Sequence, residues 1–392
     1  MSDDDPCPVS IAVVFEEAIE AGSGSIHVML EDVSRIDAAA EGDTVLVAPG
    51  TYSGTGNRDI VFPSIPVTLS SEGGPDTCII DCDGSIQEEH RGFVITGNAD
   101  TPKIIDGFTV ANADVREIGN NYGGAFFITD DSAAIRNCII TDCRAQLGSA
   151  VYAYECNDLL ITHCWIENNT SEFSGACVFQ GSGQHTVIMD TCSIQNNETM
   201  AFSIITTSAS LQMTNSVIRN NASMSGGSVL SSSTSLQMTN CLVVNNPSGL
   251  SVSGTADITG CTIAFNPAAS TGIAGILLDT GTANLRNAIV WANTQTDELA
   301  TSDGTFIVDF SDIDGGYPGA GNLDADPEFA AAAGHDFYLS HTAAGQVSDS
   351  PCVNAGFAEA LNTCFDTPDG EICMDELTTR TDGLTDSGMV DM

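Results

Sequence analysis

The chain is short of positive charge. Its 392 residues include 10 Lys or Arg against 53 Asp or Glu, a formal net charge of −43, and Lys103 is the one lysine. Nucleic acids are held by basic surfaces that displace counterions, so that partner is excluded, as is a polybasic membrane anchor. Long apolar runs are missing too. None approaches the roughly 20 residues of a transmembrane segment. Aromatic residues make up only 6%. The six histidines (His27, His90, His163, His185, His335, His341) are scattered, which gives no support to a Ser or Cys triad. The opening Met1-Ser2-Asp3-Asp4-Asp5 has neither the basic nor the apolar stretch of a secretory leader.

What is present is glycine (38 residues) and a hydrophobic fraction of 42%, enough to build a core. Many short strands joined by tight turns suit this mixture better than long helices. The acidity reads first as self-repulsion that keeps an extended protein soluble, and secondly as a capacity for divalent cations.

Self-similarity carries the main message. Cys138, Cys164, Cys192, Ser216, Cys241, Cys261, Ala288 and Ser311 recur at intervals of 20 to 28 residues, each inside a similar short segment. Two places after this small residue stand Ile140, Ile166, Ile194, Ile218, Val243, Ile263, Val290 and Ile313. Three places before it stand Ile135, Ile161, Met189, Met213, Met238, Ile258, Leu285 and Val308. Apolar positions alternate with polar ones, the period of a strand. Five places after it stand Asn169, Asn197, Asn221, Asn246, Asn266 and Asn293, a ladder of amides that can bond from turn to turn and suit a left-handed corner.

The period excludes helical-pair arrays and predicts an all-β fold: a single-stranded parallel β-helix, one coil per repeat, with strands ~4.8 Å apart. Residues 44–314 would form about 10–11 coils, roughly 50 Å long. Small residues at a further corner predict a second strand per coil, starting at Phe126, Val151, Cys177 and Val229. Exposed solenoid ends need caps. Residues 1–43 are expected to supply an N-terminal helical cap, with helical spacing over 9–21 and a second helix over 26–40. Residues 315–392 read as a non-repetitive, Asp-rich C-terminal segment that packs along the solenoid from about residue 294.

A family likeness rests on particular residues. Gly42-Asp43-Thr44-Val45-Leu46-Val47-Ala48-Pro49-Gly50-Thr51-Tyr52, His90-Arg91-Gly92-Phe93 and Asp106-Gly107-Phe108-Thr109-Val110 are similar to segments of bacterial secreted right-handed parallel β-helix proteins. So are the repeated Asn-Cys-x-Ile-x-x-Asn and the run from Phe310 through Phe329. Ser350-Pro351-Cys352-Val353-Asn354-Ala355-Gly356 continues the likeness, with Asn354 where that family usually has Asp. The resemblance implies a right-handed fold of the pectate-lyase-like superfamily, whose members include polysaccharide lyases, hydrolases, adhesins and surface proteins. Fold alone does not choose among them.

Each candidate site has a plainer alternative. A lyase needs a base and a cation beside the substrate carboxylate, and no coil sets Arg or Lys beside an Asp cluster at column spacing. A glycoside hydrolase needs two carboxylates ~5–9.5 Å apart. Asp130 and Asp131 at a corner, with Asp190 expected to face outward nearby, are the catalytic candidates, and a solvated turn is their plainer reading. Asp312, Asp314, Asp324 and Asp326 place oxygens at alternate positions near glycines, as a calcium site would, or as turns bonded to their own backbone would. Trp165 and Trp291 belong to an outward stripe with Ile139, Val217, Leu242 and Ile289. It reads as a surface for glycan stacking or a partner, unless the chain beyond Asn293 folds back over it.

The column cysteines should be inward, unpaired fillers. Cys364 and Cys373 flank a turn sequence and predict a disulfide, whereas Cys7, Cys78, Cys82, Cys143, Cys156, Cys177 and Cys352 are possible partners in unknown pairing. A bridge implies an oxidising compartment, hence a secreted or cell-surface protein whose leader is absent from this chain. The expectation is a non-catalytic scaffold or adhesin-like module, with calcium as a structural ligand and a polysaccharide, a surface glycan or further copies of itself as partners. A carbohydrate-active enzyme is the alternative.

Overall fold

The computed structural model describes residues 33, 36, 39–97, 101–117, 121–181, 185–267, 275–293, 297–332, 335–357, 364–368, 370–384 and 391–392. Its body is a parallel β-solenoid. An 18-stranded sheet and an 11-stranded sheet run along it, with a third, 4-stranded sheet over the middle coils. The 11-stranded sheet begins at Gly50–Ser53 and ends at Asp312–Ile313, one strand per coil. Ten steps of ~4.8 Å make it about 48 Å long.

One coil shows the plan. Strand Asp158–Thr162 turns at His163 into Trp165–Glu167, turns again at Asn168, continues as Thr170–Ser174 and Cys177–Gln180, and rises to Thr186–Asp190. Like residues lie directly above like. Ile166 pairs with Ile194, and Ile194 with Ile218, and all three are fully buried. The further strands start at Phe126, Val151 and Cys177 as the small residues predict, and at Leu230, one place later than expected, in the fourth case.

The corners correct one detail. The left-handed residue is the one before each ladder asparagine: Asn168 (φ 58°), Asn196 (55°), Asn220 (55°) and Asn245 (56°). The other corner uses Asn137, His163, Thr191, Asn215, Asn240 and Asn287, all with φ of 50–52°. The ladder asparagines point inward instead. Asn169 donates from both its backbone N–H and its Nδ2 to Oδ1 of Asn197, each at 3.0 Å, and from Nδ2 to Ile140 O at 2.9 Å. The pattern repeats through Asn221, Asn246, Asn266 and Asn293. It ends on buried Glu298, whose carboxylate accepts the Asn293 backbone N–H at 2.8 Å and Nδ2 at 2.7 Å. Each internal amide therefore finds its partners in the coils next to it, as buried polar groups must.

The column cysteines are buried free thiols, as expected. Cys364 and Cys373 are disulfide-bonded. Of the other cysteines considered for bridges, Cys78, Cys82, Cys143, Cys156, Cys177 and Cys352 are free and buried, and Cys7 lies outside the described residues. Burial holds the thiols of Cys78, Cys143, Cys156 and Cys192 up at about 12.

At the N-terminal end, Val33 and Ile36 are buried against the first coil's core. The helix expected over 9–21, and most of 26–40, lie outside the described residues. At the other end, Phe329–Ala332 and His335–Leu339 form an antiparallel hairpin against the last coils. Ile289, Leu339, Cys352 and Met392 form a second small core there, with Trp291, Phe310, Leu323 and Phe329 packed around it. His341 Nε2 lies 2.9 Å from Asp391 Oδ2, and Asp391 Oδ1 accepts the Asn354 N–H at 2.6 Å.

Candidate functional site

Strand register sets each side chain of a coil beside its counterpart one rung away. Three outward columns before the small residue line a groove of about 740 Å³. Two places before that residue come Asp106, Arg136, Thr162 and Thr214; one place before come Asn137 and His163; four places before come Leu160, Ile188 and Gln212. The groove crosses five successive coils, about 19 Å at the rung spacing. Thr367 and Pro368, at the tip of the Cys364–Thr367/Gly370–Cys373 hairpin, close one side.

Half-buried Leu160 and Ile188 give the groove an apolar floor, and acceptors and donors surround it. Asp106 Oδ1 accepts Asn137 Nδ2 at 2.8 Å, and Asp106 is the register partner of Arg136. Among the described residues the Arg136 guanidinium has no carboxylate within ion-pair distance.

The catalytic candidates do not assemble. Asp130 is exposed, in a left-handed turn (φ 55°). Asp131 points the other way, fully buried in an ion pair with Lys103, and its Oδ1 accepts the Ser132 N–H at 2.9 Å. Lys103 occupies the column that holds Ala133, Leu159 and Val187 in the next coils, so its ammonium is inside the solenoid and needs an internal carboxylate. Asp190 does stand in the outward column, between Thr162 and Thr214, but it is buried there rather than open to water. Its Oδ1 accepts bonds from Thr214 Oγ1 and, at 3.1 Å, from Asn215 Nδ2, and its Oδ2 takes Thr191 Oγ1 at 3.1 Å. The next coil's hydroxyl and amide cover it, a contact that periodicity in one strand does not display.

The four C-terminal aspartates serve as turn acceptors. Asp312 Oδ1 accepts the Ala325 N–H at 3.1 Å, Asp314 Oδ2 the Ala292 N–H at 3.2 Å, Asp324 Oδ1 the Gly315 N–H at 3.1 Å, and Asp326 Oδ1 the Glu328 N–H at 3.0 Å. Among the described residues, three atoms of metal-ligand type gather within 4.8 Å at Cys364, Glu371 and Cys373, where the two sulfurs are taken up by the disulfide. Asp312 is buried, and desolvation pushes its carboxyl above the usual range although Cys352 and Ala325 bond to it. The tryptophan stripe divides. Trp291 packs in the C-terminal core, and the segment Phe337-Tyr338-Leu339 covers Leu242 and Ile289, whereas Trp165 stays 53% exposed.

The groove residues belong to readable columns, but sequence reasoning missed their convergence. Arg136 stands alone among polar residues in its strand, Ala133–Arg136, and the wall from Thr367 and Pro368 carries no signal at all. No helix among the described residues is long and apolar enough to cross a membrane.

Residues 91–267 match the family model described as a right-handed beta helix region. No curated relative matches the sequence. Among solved structures, the chain is similar to the mannuronan C-5 epimerase AlgE6 A-module of Azotobacter vinelandii, with 17% identity, 75% of this chain and 93% of that one covered, and a TM-score of 0.35. It is also similar to the pectate lyase Pel9A, with 14% identity, coverages of 85% and 88%, and a TM-score of 0.45. The catalytic unit of a thermostable GH87 α-1,3-glucanase from Streptomyces thermodiastaticus is a third, with 14% identity, coverages of 85% and 72%, and a TM-score of 0.34. None of these values transfers an activity. Residues 91–267 thus carry the pattern of a right-handed beta helix region, and the same stacked parallel coils extend on both sides of them.

Proposed function

We propose that this protein is a non-catalytic, secreted or cell-surface β-helix module that binds an uncharged polysaccharide along the groove between Asp106 and Thr214. The observation that carries the reading is the groove itself: five coils long, with an aliphatic floor and a rim of carboxylate, guanidinium, amide and hydroxyl groups. Sugar rings present apolar faces and hydroxyl edges, and such a site offers partners for both. A net charge of −43 repels polyanions and leaves neutral chains unaffected. The Cys364–Cys373 bridge fits an oxidising compartment.

Binding is favoured over hydrolysis because the second carboxylate at this corner, Asp190, is buried with both oxygens bonded. A hydrolase needs one acid and one base open to the same bond. Asp106 beside Arg136, with His163 lining the same groove, is the observation that favours the enzyme reading. A glycan array run beside a depolymerisation screen separates them. The proposal expects retained neutral oligosaccharides and no new reducing ends. Reducing ends that vanish in Asp106→Asn would replace it with the enzyme.

A further inference from the structure

We infer that the Cys364–Cys373 hairpin is a redox-held flap over the groove, closed while the bridge is intact and released when it is reduced. The inference rests on the groove reading above and adds its regulation. The flap has a pivot, a latch and a tip. Just past the second strand, Met374 is buried against Gly260, where an added Cβ would stand 2.8 Å from the methionine Cε. The Cys373 N–H donates to Glu376 Oε2 at 3.2 Å and fixes the turn out of the strand. The bridge joins directly opposed residues of two four-residue antiparallel strands, with Cys364 exposed. The tip, Thr367 and Pro368, lies against the groove residues several coils from Gly260. Five extended residues reach about 16 Å, enough for the two or three rungs between pivot and groove.

A two-stranded hairpin is marginal in water by itself, so the cross-link is what keeps this one formed. Its exposed sulfur is open to attack by a dithiol reductant. One thiolate of that reductant attacks a cystine sulfur to give a mixed disulfide. The second thiol resolves it, so the reductant leaves as its own disulfide and Cys364 and Cys373 are left as thiols. The strands then lose their tie and the tip leaves the groove. Among the described residues the other cysteines are already free thiols, so a reductant acts there on this bridge alone.

Phenylglyoxal labelling of Arg136, read by peptide mass mapping with and without a dithiol, tests the flap without any glycan. Reduction should raise the Arg136 labelling rate about ten-fold and bring the 364–373 amides to unprotected exchange rates. Cys364→Ser/Cys373→Ser should reproduce both changes without reductant, with the far-UV circular dichroism of the solenoid unchanged. Unaltered Arg136 labelling after confirmed reduction would overturn the flap. Should labelling rise while no neutral oligosaccharide binds in either state, the flap stands and the glycan reading falls.

Discussion

Lys103 and Asp131 are the residues whose environment is most at odds with their chemistry. Both are fully buried in the solenoid, and each is tolerable only because the other is there. Lys103→Met alone should cost about 3–5 kcal/mol by denaturant unfolding, because it leaves Asp131 an uncompensated internal charge. Lys103→Met/Asp131→Asn should recover more than half of that. Equal losses in the single and double variants would refute the pairing. Half of this was legible: a lysine in a column of Ala133, Leu159 and Val187 announces an internal cation. Its partner was not, since Asp131 reads from sequence as one half of a turn.

Asp312 makes a pH-dependent case at the same scale. Burial raises its folded carboxyl above the unfolded value, so the folded state binds that proton more tightly. The group's contribution is therefore favourable below the unfolded value and is lost as pH rises through the folded one. Asp312→Asn keeps an acceptor for the Ala325 N–H and removes the buried charge. The variant should melt higher than the parent at pH 7, and the difference should close by about pH 3. A difference that is constant with pH would contradict the burial argument.

Among the elements, the amide ladder ties the coils most tightly. Removing Asn197 strips an oxygen from two donors of Asn169 and breaks the run in the middle. Asn197→Ala should cost roughly 3 kcal/mol, whereas the exposed corner change Asn196→Gly should cost under about 1 kcal/mol. Comparable losses at the two positions would mean that the ladder carries no special share. The rungs were readable because parallel stacking forces one side-chain type to repeat at each position. Ile166, Ile194 and Ile218 could be placed from spacing alone. Two features fell outside that rule. The exchange of corner and ladder roles between Asn168 and Asn169 depends on backbone φ, and Glu298 ends the ladder in a coil whose repeat has broken down.

At the level of the whole molecule, the fold was nearly all in the sequence and the site was not. Columns specify a solenoid, whereas a groove needs something to lie across the columns. Here that is a hairpin from the non-repetitive tail, whose path obeys no period. The same tail covers Leu242 and Ile289 and leaves Trp165 open, a division no residue pattern foretells. The acidity acts at this scale too. Spread over a ~48 Å solenoid it leaves neutral polymers as the ligands its field does not repel. The most direct measurement is calorimetric titration of an array-selected neutral oligosaccharide into the parent protein and into Arg136→Ala/Gln212→Ala. Both substitutions lie on the outward face of the sheet, so the melting temperature should hold while the affinity falls at least about ten-fold, roughly 1.4 kcal/mol. Equal affinity in the two proteins would show that the groove between Asp106 and Thr214 is not the binding site.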